Sequence, residues 1–478
     1  MKTTLLLINM LVSIIFLFSF NFSSQQEISN LIKIFVSKSP SLSFYINTFL
    51  DKNNSIILPL KLELNSLTTS IKCKNIPLSK ENFIMCSDNL CYKLFYDEKK
   101  CEQSQENKCS FIYENNYGYF KNYSGIYINH YFNIFTNDIN FNERSNILPI
   151  GCLEENLDLF NENISGIFSL GGNIYSFLPY YYKANDFNDN NALFSICIDP
   201  QEGGYLTIGN ITNKYHLNND LPINFRYEIK DSYYIFKINN MFFNYENFNK
   251  EEYNAIFNMN TEYTYVNKII INDLYHLFKN YLTEKLIKNF QLDISIKNDN
   301  LISNGICFIN NNIKDKQFKE KLIIIFPPLF IGIDNKYYKW ESEYYLYKSK
   351  NNKEEYCIGI LSNEKKLENK KEIEFGANFM YGHEFIFNFI KNEIFVYESN
   401  CSMKPRKKFD LNLESKYGKI NGYLKVIIII FIIIFVFLIF IVCRLSKKRS
   451  CLCIKLFGKK VTNEEINQFF NSNYKVIN

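Results

Sequence analysis

Two segments of the chain share a pattern in which a short apolar strand ends in an asparagine-bearing turn followed by hydroxyl side chains. They are Leu62–Cys73 and Ala255–Val266, with the sequences LELNSLTTSIKC and AIFNMNTEYTYV, and they place Asn65 and Asn258 at equivalent points. A carboxamide can hold water through hydrogen bonds, but it has no accessible proton to exchange near neutral pH. Taken alone, the pattern predicts two strands that end in turns capable of hydrogen bonding but not of acid–base chemistry.

Two acidic residues lie close in sequence to these asparagines. Alternation along a strand puts Glu63 on the same face as Asn65, but about 6–7 Å away along the strand. Glu262 lies four residues beyond Asn258, past the turn. We expect both to be solvated or loop residues, and we therefore expect no acid close to either asparagine.

The remaining candidates for chemistry give weak patterns. None of the four histidines lies in a Gly-x-Ser-x-Gly or His-Glu-x-x-His setting, and each is interpreted as structural: His130, His216, His276 and His383. Glycine-rich phosphate-binding motifs are missing, and so are the Cys-x-x-Cys pairs that zinc favours. The sequence therefore predicts no cofactor and no metal.

Two hydrophobic segments indicate the cellular compartment. Lys2 precedes an apolar run that ends near Phe20, which is typical of a secretory signal peptide over residues 1–24. Residues 426–443 are uncharged and almost wholly aliphatic or aromatic, long enough for one transmembrane helix, and a basic cytosolic tail follows over 444–478. These segments predict a type I single-pass membrane protein with a lumenal body and a stalk over 403–425.

The cysteines and sequons fit a lumenal body. Ten of the 13 cysteines precede the apolar run, and an even number behind a signal peptide favours five disulfides: Cys73, Cys86, Cys91, Cys101, Cys109, Cys152, Cys197, Cys307, Cys357 and Cys401. Candidate glycosylation sites are Asn53, Asn122, Asn163 and Asn210. The formal charge of +5 is concentrated in the tail, so the body has no basic surface that would predict nucleic-acid binding.

The body from about residue 41 to 402 is predicted to be all-β with few helices. Short apolar or alternating runs separated by Asn, Gly and Asp predict strands at Ile56–Leu64, Tyr205–Ile208, Tyr233–Ile238, Ala255–Val266, Leu322–Phe326, Ile373–Phe375, Phe385–Phe389 and Ile394–Tyr397. Apolar residues at helical spacing predict one long helix at Ile269–Phe290. A hydrophobic fraction of 47% with 22% charged residues excludes wholesale disorder.

In this context the two asparagine segments resemble the two Asp-Thr/Ser-Gly motifs of pepsin-like aspartic proteases. Further segments resemble other parts of that family in the same order: Cys109–Gly125 for the flap, Ser165–Gly171, Phe194–Asn210, Tyr233–Phe243, Glu374–Met380 and Phe385–Cys401. Within the family, the cysteine-rich stretch and the C-terminal apolar run are most similar to the membrane-anchored plasmepsin V group. The resemblance implies a bilobal fold with lobes at 41–219 and 220–402, in the endoplasmic reticulum or elsewhere in the secretory pathway.

The resemblance also implies a site. Asn65 and Asn258 occupy the positions of the catalytic Asp pair, and Tyr117, Thr68 and Thr261 those of substrate-binding residues. Other positions depart from the family as well: Leu67 and Asn260 replace motif glycines, Met259 replaces a hydroxyl residue, and Asn388 stands where Asp is usual.

A pepsin-like site needs two carboxylates that share one proton, so that one activates water while the other donates to the carbonyl oxygen. We therefore predict a monomeric, catalytically inactive homologue that binds a lumenal peptide or protein partner. One alternative is a working aspartic endopeptidase with an altered dyad. Another is a decaying paralogue with a structural role only.

Overall fold

The structure is a computed structural model, and the residues that it describes all lie between Leu31 and Met403. They are 31–37, 43–50, 56–66, 68–73, 78–88, 91, 107–113, 123–134, 146–153, 164–172, 177–184, 192–209, 211, 215–217, 221–230, 232–249, 251–282, 294–297, 306–310, 318–349, 355–362 and 371–403. The predicted signal peptide, stalk, membrane span and tail lie outside these residues, as do Tyr117 and the four sequon asparagines. Within the described ranges, no helix has the length and apolar character that a membrane crossing requires.

Strands dominate the described residues. The first ten are β1 (Leu31–Ser37), β2 (Ser43–Phe49), β3 (Ile57–Glu63), β4 (Ser70–Lys72), β5 (Ser110–Tyr113), β6 (Tyr123–Ile134), β7 (Asn146–Leu153), β8 (Gly166–Ser169), β9 (Leu193–Asp199) and β10 (Gly203–Ile208). The next nine are β11 (Ile223–Arg226), β12 (Glu228–Lys230), β13 (Tyr233–Ile238), β14 (Asn240–Phe243), β15 (Glu246–Asn249), β16 (Tyr253–Phe257), β17 (Thr264–Val266), β18 (Ile294–Lys297) and β19 (Cys307–Asn310). The last eight are β20 (Leu329–Ile333), β21 (Lys336–Trp340), β22 (Leu346–Lys348), β23 (Glu355–Ile358), β24 (Ile360–Ser362), β25 (Glu372–Phe375), β26 (His383–Asn388) and β27 (Glu393–Glu398).

Helices are few and mostly short. They are α1 (Phe177–Ala184), α2 (Lys268–Tyr281), α3 (Phe318–Ile325), α4 (Ser342–Tyr345) and α5 (Ala377–Met380), with a 3-10 turn at Lys80–Asn82. The predicted all-β body with few helices is thereby confirmed, and β1 begins ten residues before the predicted start of the first lobe.

One predicted strand is a helix in the structure. The run Leu322–Phe326 was expected as a strand, but it belongs to α3 and the turn that follows. Phe318, Leu322 and Ile325 are the buried residues of this helix, and their spacing of four and three residues suits a helical face. A short run of isoleucines satisfies a strand and a buried helix equally, and the spacing of the flanking buried residues decides between them.

The long helix predicted at Ile269–Phe290 is confirmed in its first part as α2, which begins one residue earlier than expected and ends at Tyr281, where Leu282 is the C-cap, instead of continuing to Phe290. Asn267 caps it, because its side chain accepts a hydrogen bond from the Ile270 N–H. Ile271, Leu274 and Phe278 lie on its buried face. The helix covers the second lobe, where α2 contacts β15 and β24.

The two lobes are joined by part of a 13-stranded sheet. Its order β11-β27-β26-β9-β10-β1 places the last strands of the chain beside strands of the first lobe. Strand β1 joins the two parts of this sheet, since Leu31–Ile34 pair with β10 and Phe35–Ser37 pair with β2. The Phe194 and Phe387 rings stack across β9 and β26 with centroids 4.5 Å apart, which ties the lobes through apolar packing.

The strands around the two asparagine segments repeat one arrangement. In the first lobe β3 runs parallel to β8, and β4 runs parallel to β7. In the second lobe β16 runs parallel to β25, and β17 runs parallel to β24. Each asparagine loop therefore leaves the end of a central strand and returns through a short strand of the same sheet.

Disulfides fix the outer loops and the join between the lobes. Four pairs are described: Cys73–Cys152, Cys91–Cys109, Cys197–Cys401 and Cys307–Cys357. Cys86 is also disulfide-bonded. The prediction that these cysteines are oxidised is confirmed for every one of them that the structure describes, while Cys101 lies outside the described residues.

Candidate functional site

Asn65 and Asn258 both lie just past the ends of buried central strands, and both side chains are 4% exposed. Asn65 follows β3 by two residues, and Asn258 follows β16 directly. The Asn258 N–H donates to the Phe375 carbonyl at 2.7 Å, which carries the parallel pairing of β16 and β25 into the loop. The structure thus places the two sequence-predicted residues at equivalent positions of the two lobes.

The side chain of Asn258 is held at both ends. Its Oδ1 accepts a hydrogen bond from the Asn260 N–H at 3.0 Å. Its Nδ2 donates to Oε1 of Glu374. The Asn258 carbonyl accepts from the Thr261 hydroxyl at 3.1 Å, so the predicted substrate-binding Thr261 holds its own loop. The Asn258 amide is therefore committed to fixed partners.

The contact with Glu374 corrects the expectation that no acid lies close to either asparagine. Glu374 is only 2% exposed and lies on β25, opposite Ile256 of β16. The reason is tertiary, since the parallel pairing brings together residues that lie 116 positions apart in sequence. The available signal was an acid between two apolar residues, Ile373 and Phe375, in a segment that had been predicted to be a buried strand.

Glu63 corrects the expectation of a solvated acid. It is 4% exposed, and its carboxyl contacts two side chains: the Lys61 Nζ at 3.7 Å, and the side chain of Asn260 in the second lobe, by a hydrogen bond. Burial raises the pKa of Glu63, while Lys61 and Asn260 oppose that rise. Burial likewise lowers the pKa of Lys61, which is 8% exposed.

These contacts form one chain of hydrogen bonds across both lobes. We call Glu63, Asn260, Asn258 and Glu374 the central network. Glu63 of the first lobe bonds to the Asn260 side chain, the Asn260 N–H bonds to Asn258, and Asn258 bonds to Glu374. Replacement of a motif glycine by Asn260 supplies the side chain that joins the two lobes.

In the first lobe, hydroxyl groups form the hydrogen bonds that hold the loop after Asn65. The Ser169 hydroxyl donates to the Ser66 carbonyl at 2.5 Å, and the Ser169 N–H donates to the Thr69 hydroxyl at 3.1 Å. Thr68, a predicted substrate-binding residue, is 2% exposed, and its hydroxyl donates to the Thr69 carbonyl at 3.3 Å. In this arrangement Thr68 faces the loop interior.

The remaining acid near the site, Glu262, lies in the loop between β16 and β17, as expected, and is half-buried. Its side chain forms a hydrogen bond with Tyr263, and its charge together with burial raises the pKa of Tyr263. The Tyr263 ring packs against Tyr347 at 4.3 Å between centroids. Glu262 therefore belongs to an aromatic cluster beside the loop, whereas Glu63 and Glu374 belong to the central network.

The lobes approach closely beside the first loop. A Cβ on Gly171 would lie 2.3 Å from the Ser66 carbonyl oxygen, so the position requires glycine. The next N–H, of Gly172, donates to the Ser232 carbonyl in the second lobe at 3.3 Å. The Tyr234 hydroxyl of β13 donates to the Leu170 carbonyl at 2.6 Å. These contacts tie the segment after β8, which packs against the Asn65 loop, to β13 and the residue before it in the second lobe.

Asn388 is the other residue for which the resemblance to pepsin-like proteases predicts an Asp position. In the structure it lies at the end of β26, away from the central network in sequence and in role. Its Oδ1 accepts hydrogen bonds from the N–H groups of Ile390 and Lys391 at 3.1 and 3.0 Å. It therefore caps a turn, which an aspartate would do equally well.

One group of potential metal ligands occurs in the described part of the chain. Cys307, Glu355 and Cys357 have ligand atoms within 4.8 Å of one another. The two cysteines form a disulfide, so they offer no thiolate to a metal ion. The group does not fit a metal.

Comparisons with known proteins agree with this architecture. Residues 60–210 match the family model described as xylanase inhibitor N-terminal. No curated protein matches the sequence.

Several solved structures share the fold over most of their length. A protein called edgp has a TM-score of 0.60 and 11% identity, over 79% of this chain and 98% of its own. Basic 7S globulin from soybean has a TM-score of 0.58 and 14% identity, and conglutin gamma, a basic 7S globulin from lupine seeds, has 0.56 and 15%. Each covers 78% of this chain and 96% of its own. At such identities the likeness concerns the fold, and the chain has the bilobal pepsin-like aspartic protease fold.

Proposed function

We propose that this protein is a catalytically inactive member of the pepsin-like fold that binds an extended peptide or a partner segment between its lobes. The observation that carries the proposal is the hydrogen bonding of Asn258. Its Oδ1 accepts from the Asn260 N–H and its Nδ2 donates to Glu374, so the amide is held in place by its neighbours, and a carboxamide cannot take up the proton of an attacking water.

The chemistry of the amide pair supports the same proposal. Peptide hydrolysis on this fold needs a base for water and an acid for the carbonyl oxygen, and these are supplied by two carboxyl groups sharing a proton. Asn65 and Asn258 supply neither. Loss of both members of a catalytic unit removes essentially all of the rate enhancement that the unit provided.

The membrane topology and the cellular compartment of the protein remain predictions from the sequence. The apolar runs at residues 1–24 and 426–443 support a type I membrane protein whose body faces the secretory lumen. The likeness to the plasmepsin V group supports the endoplasmic reticulum as its residence. The disulfides support an oxidising compartment.

The test uses the full-length chain in detergent, a mixed library of unlabelled peptides and a matched set of fluorescent peptides. Cleavage is followed by mass spectrometry from pH 4 to pH 7, and binding by fluorescence anisotropy. We expect saturable binding of some peptides without cleavage at any pH. Cleavage that a pepstatin-type inhibitor blocks would overturn the proposal. The absence of both cleavage and binding would also overturn it and would favour a paralogue with a structural role only.

A second candidate is an acid peptidase that uses the buried glutamates in place of the aspartates. It is favoured by Glu63 and Glu374, which belong to the two lobes and lie at the two ends of the central network. Burial raises the pKa of Glu63, which suits a proton donor. If the library shows cleavage, Glu63→Gln and Glu374→Gln should each abolish it, whereas Glu262→Gln should not.

A further inference from the structure

Two cysteines and a glutamate lie on one face of the sheet formed by β18, β19, β23 and β22. Cys307 of β19 pairs directly with Cys357 of β23, and Glu355 lies two residues before Cys357 on the same side of its strand. The two sulfur atoms and one carboxylate oxygen of Glu355 lie within 4.8 Å of one another. Cys307, Glu355 and Cys357 are 4%, 6% and 3% exposed, so this set of donor atoms is buried.

In the oxidised protein the disulfide between Cys307 and Cys357 leaves no thiolate for a metal ion. Strand pairing holds the two cysteines opposite each other without help from the disulfide. Ile309 and Glu355 pair in the same ladder of β19 and β23, and β22 pairs with the other edge of β23. The Cα atoms of the two cysteines are 4.0 Å apart, near the ~4.5 Å of a narrow antiparallel pair. We therefore expect the two sulfurs to remain beside Glu355 after reduction.

Two thiolates and one carboxylate form a donor set that suits zinc. Zn²⁺ binds cysteine sulfur and carboxylate oxygen, and with three protein ligands it completes a tetrahedral site with water. Magnesium and calcium bind through oxygen atoms, so two sulfur donors of three select against them. The chemistry of the reduced group therefore favours a thiophilic divalent cation.

The electrostatic surroundings of the group also favour a cation. Tyr347 of β22 pairs with Cys357, which places it beside the two sulfurs. Burial raises the pKa of Tyr347 to about 12, and the negative charges of Glu262 and Glu355 contribute to that rise. Lys348, the next residue, lies over the Tyr356 ring on the other face of the sheet. The face that carries the sulfurs is therefore under a negative field.

We propose that the reduced protein binds one zinc ion through Cys307, Cys357 and Glu355, with water as the fourth ligand. A dithiol reductant supplies two electrons and two protons to the disulfide and is itself oxidised to a disulfide, which leaves two cysteine thiols. Zn²⁺ then displaces the two thiol protons, and the Glu355 carboxylate completes the protein ligands. The metal replaces the disulfide as the link between β19 and β23. The site requires neither catalysis nor peptide binding, so it and the proposed function can fail separately.

The disulfide between Cys73 and Cys152 provides a matched control in the first lobe. It joins the residue after β4 to β7. Among the residues that the structure describes, no second group of three cysteine, histidine or acidic side chains has ligand atoms this close together. Reduction of Cys73 and Cys152 therefore gives two thiols without a described third ligand, and we expect this pair to bind no zinc.

The first experiment uses the wild-type full-length chain in detergent. The protein is reduced with a phosphine without oxygen, desalted, and alkylated with or without Zn²⁺, and the modified cysteines are identified by mass spectrometry. We expect Zn²⁺ to slow the alkylation of Cys307 and Cys357 and to leave that of Cys73 and Cys152 unchanged, whereas Mg²⁺ protects neither pair. Equal alkylation of Cys307 and Cys357 with and without Zn²⁺ would overturn the proposal.

A cobalt titration of the reduced protein then tests each ligand, because Co²⁺ in a tetrahedral thiolate site absorbs visible light and Zn²⁺ displaces it. The double variant Cys307→Ser, Cys357→Ser should lose one equivalent of bound cobalt, and Cys73→Ser, Cys152→Ser should lose none. Glu355→Gln should weaken cobalt binding about tenfold or more, since loss of even an outer-shell partner costs that much. Unchanged cobalt binding in the Cys307 and Cys357 variant would overturn the site, and unchanged affinity in Glu355→Gln would remove Glu355 from it.

Discussion

The loops that follow β3 and β16 occupy equivalent positions in the two lobes, but different side chains of the neighbouring strands form hydrogen bonds with them. Beside the loop of Asn65, the neighbouring parallel strand contributes Ser169, whose hydroxyl donates to a backbone carbonyl. Beside Asn258, the equivalent residue of β25 is Glu374, whose carboxyl accepts a hydrogen bond from the Asn258 Nδ2. The register of the parallel strands establishes this equivalence. Glu63 and Ile256 each lie two residues before the asparagine of their lobe, and they pair with Ser169 and Glu374 respectively.

The difference shows why the two asparagines are not interchangeable. An aspartate at 258 would face the Glu374 carboxyl in a buried setting, and two like charges cannot both ionise there. An asparagine presents an N–H donor to the same carboxyl and removes the repulsion. In the second lobe an amide–carboxyl hydrogen bond therefore holds the asparagine loop, whereas in the first lobe hydroxyl groups hold it.

The largest expected effect comes from restoring aspartate at 258. In Asn258→Asp the N–H donor becomes a carboxylate beside Glu374, so we expect a loss of about 3–5 kcal/mol of unfolding free energy at pH 7. The loss should shrink at pH 4, where one of the carboxyl groups takes up a proton. Denaturant unfolding at both pH values measures this. Asn65→Asp is the matched variant with a smaller expected loss, and equal losses would remove the distinction between the lobes.

We expect His383 of the second lobe to make the stability of the protein depend on pH. Burial lowers the pKa of His383 from 6.5 to about 4, so the folded protein keeps this imidazole neutral. The unfolded chain binds the proton more readily, so stability should fall by up to about 3 kcal/mol as the pH drops from 6.5 to 4. His383→Gln should flatten that part of the profile. His276→Gln, on the exposed face of α2, controls for the substitution itself, and an unchanged slope in His383→Gln would refute the assignment.

Substitution of Glu374 and of its equivalent Ser169 should lower the free energy of unfolding by different amounts. Glu374→Leu leaves the Asn258 Nδ2 without its acceptor, and we expect a loss of about 1–3 kcal/mol. Ser169→Ala removes one hydroxyl donor, and we expect about 0.5–1.5 kcal/mol. Thermal unfolding of the two variants side by side measures the ratio. Glu374→Gln retains an acceptor and should recover part of the loss, and a larger loss for Ser169→Ala would reverse the comparison.

The smallest expected effect is at Asn388, the other position where the family usually has Asp. Its Oδ1 accepts two turn N–H groups, and a carboxylate oxygen accepts them equally well. Asn388→Asp should therefore change the unfolding free energy by less than about 0.5 kcal/mol. The same substitution at 258, 65 and 388 then forms a graded series, and a large loss at 388 would show that burial of the position outweighs the identity of its partners.

Much of the fold could be predicted from the sequence because the strands carry clear apolar patterns between turn residues. The duplicated strand–turn segments and the first part of the long helix followed from local sequence, and the oxidation of the cysteines followed from their even number behind a predicted signal peptide, but their pairing did not follow. The isoleucine run of α3 was wrongly predicted to be a strand, since a short apolar run satisfies two periodicities. The site was predicted only in part, because Glu63 and Glu374 owe their importance to partners on distant strands.

The sequence by itself determined that Asn65 and Asn258 are amides, which cannot exchange protons wherever they are placed. Its resemblance to pepsin-like proteases predicts that these amides occupy the positions where such a site needs ionisable groups. Only the tertiary structure decided what these amides do instead. The parallel pairing of β16 with β25 brings Glu374 to Asn258, and the closure of the lobes brings Asn260 to Glu63. Burial then sets the protonation of these groups, and burial is a property of the folded chain.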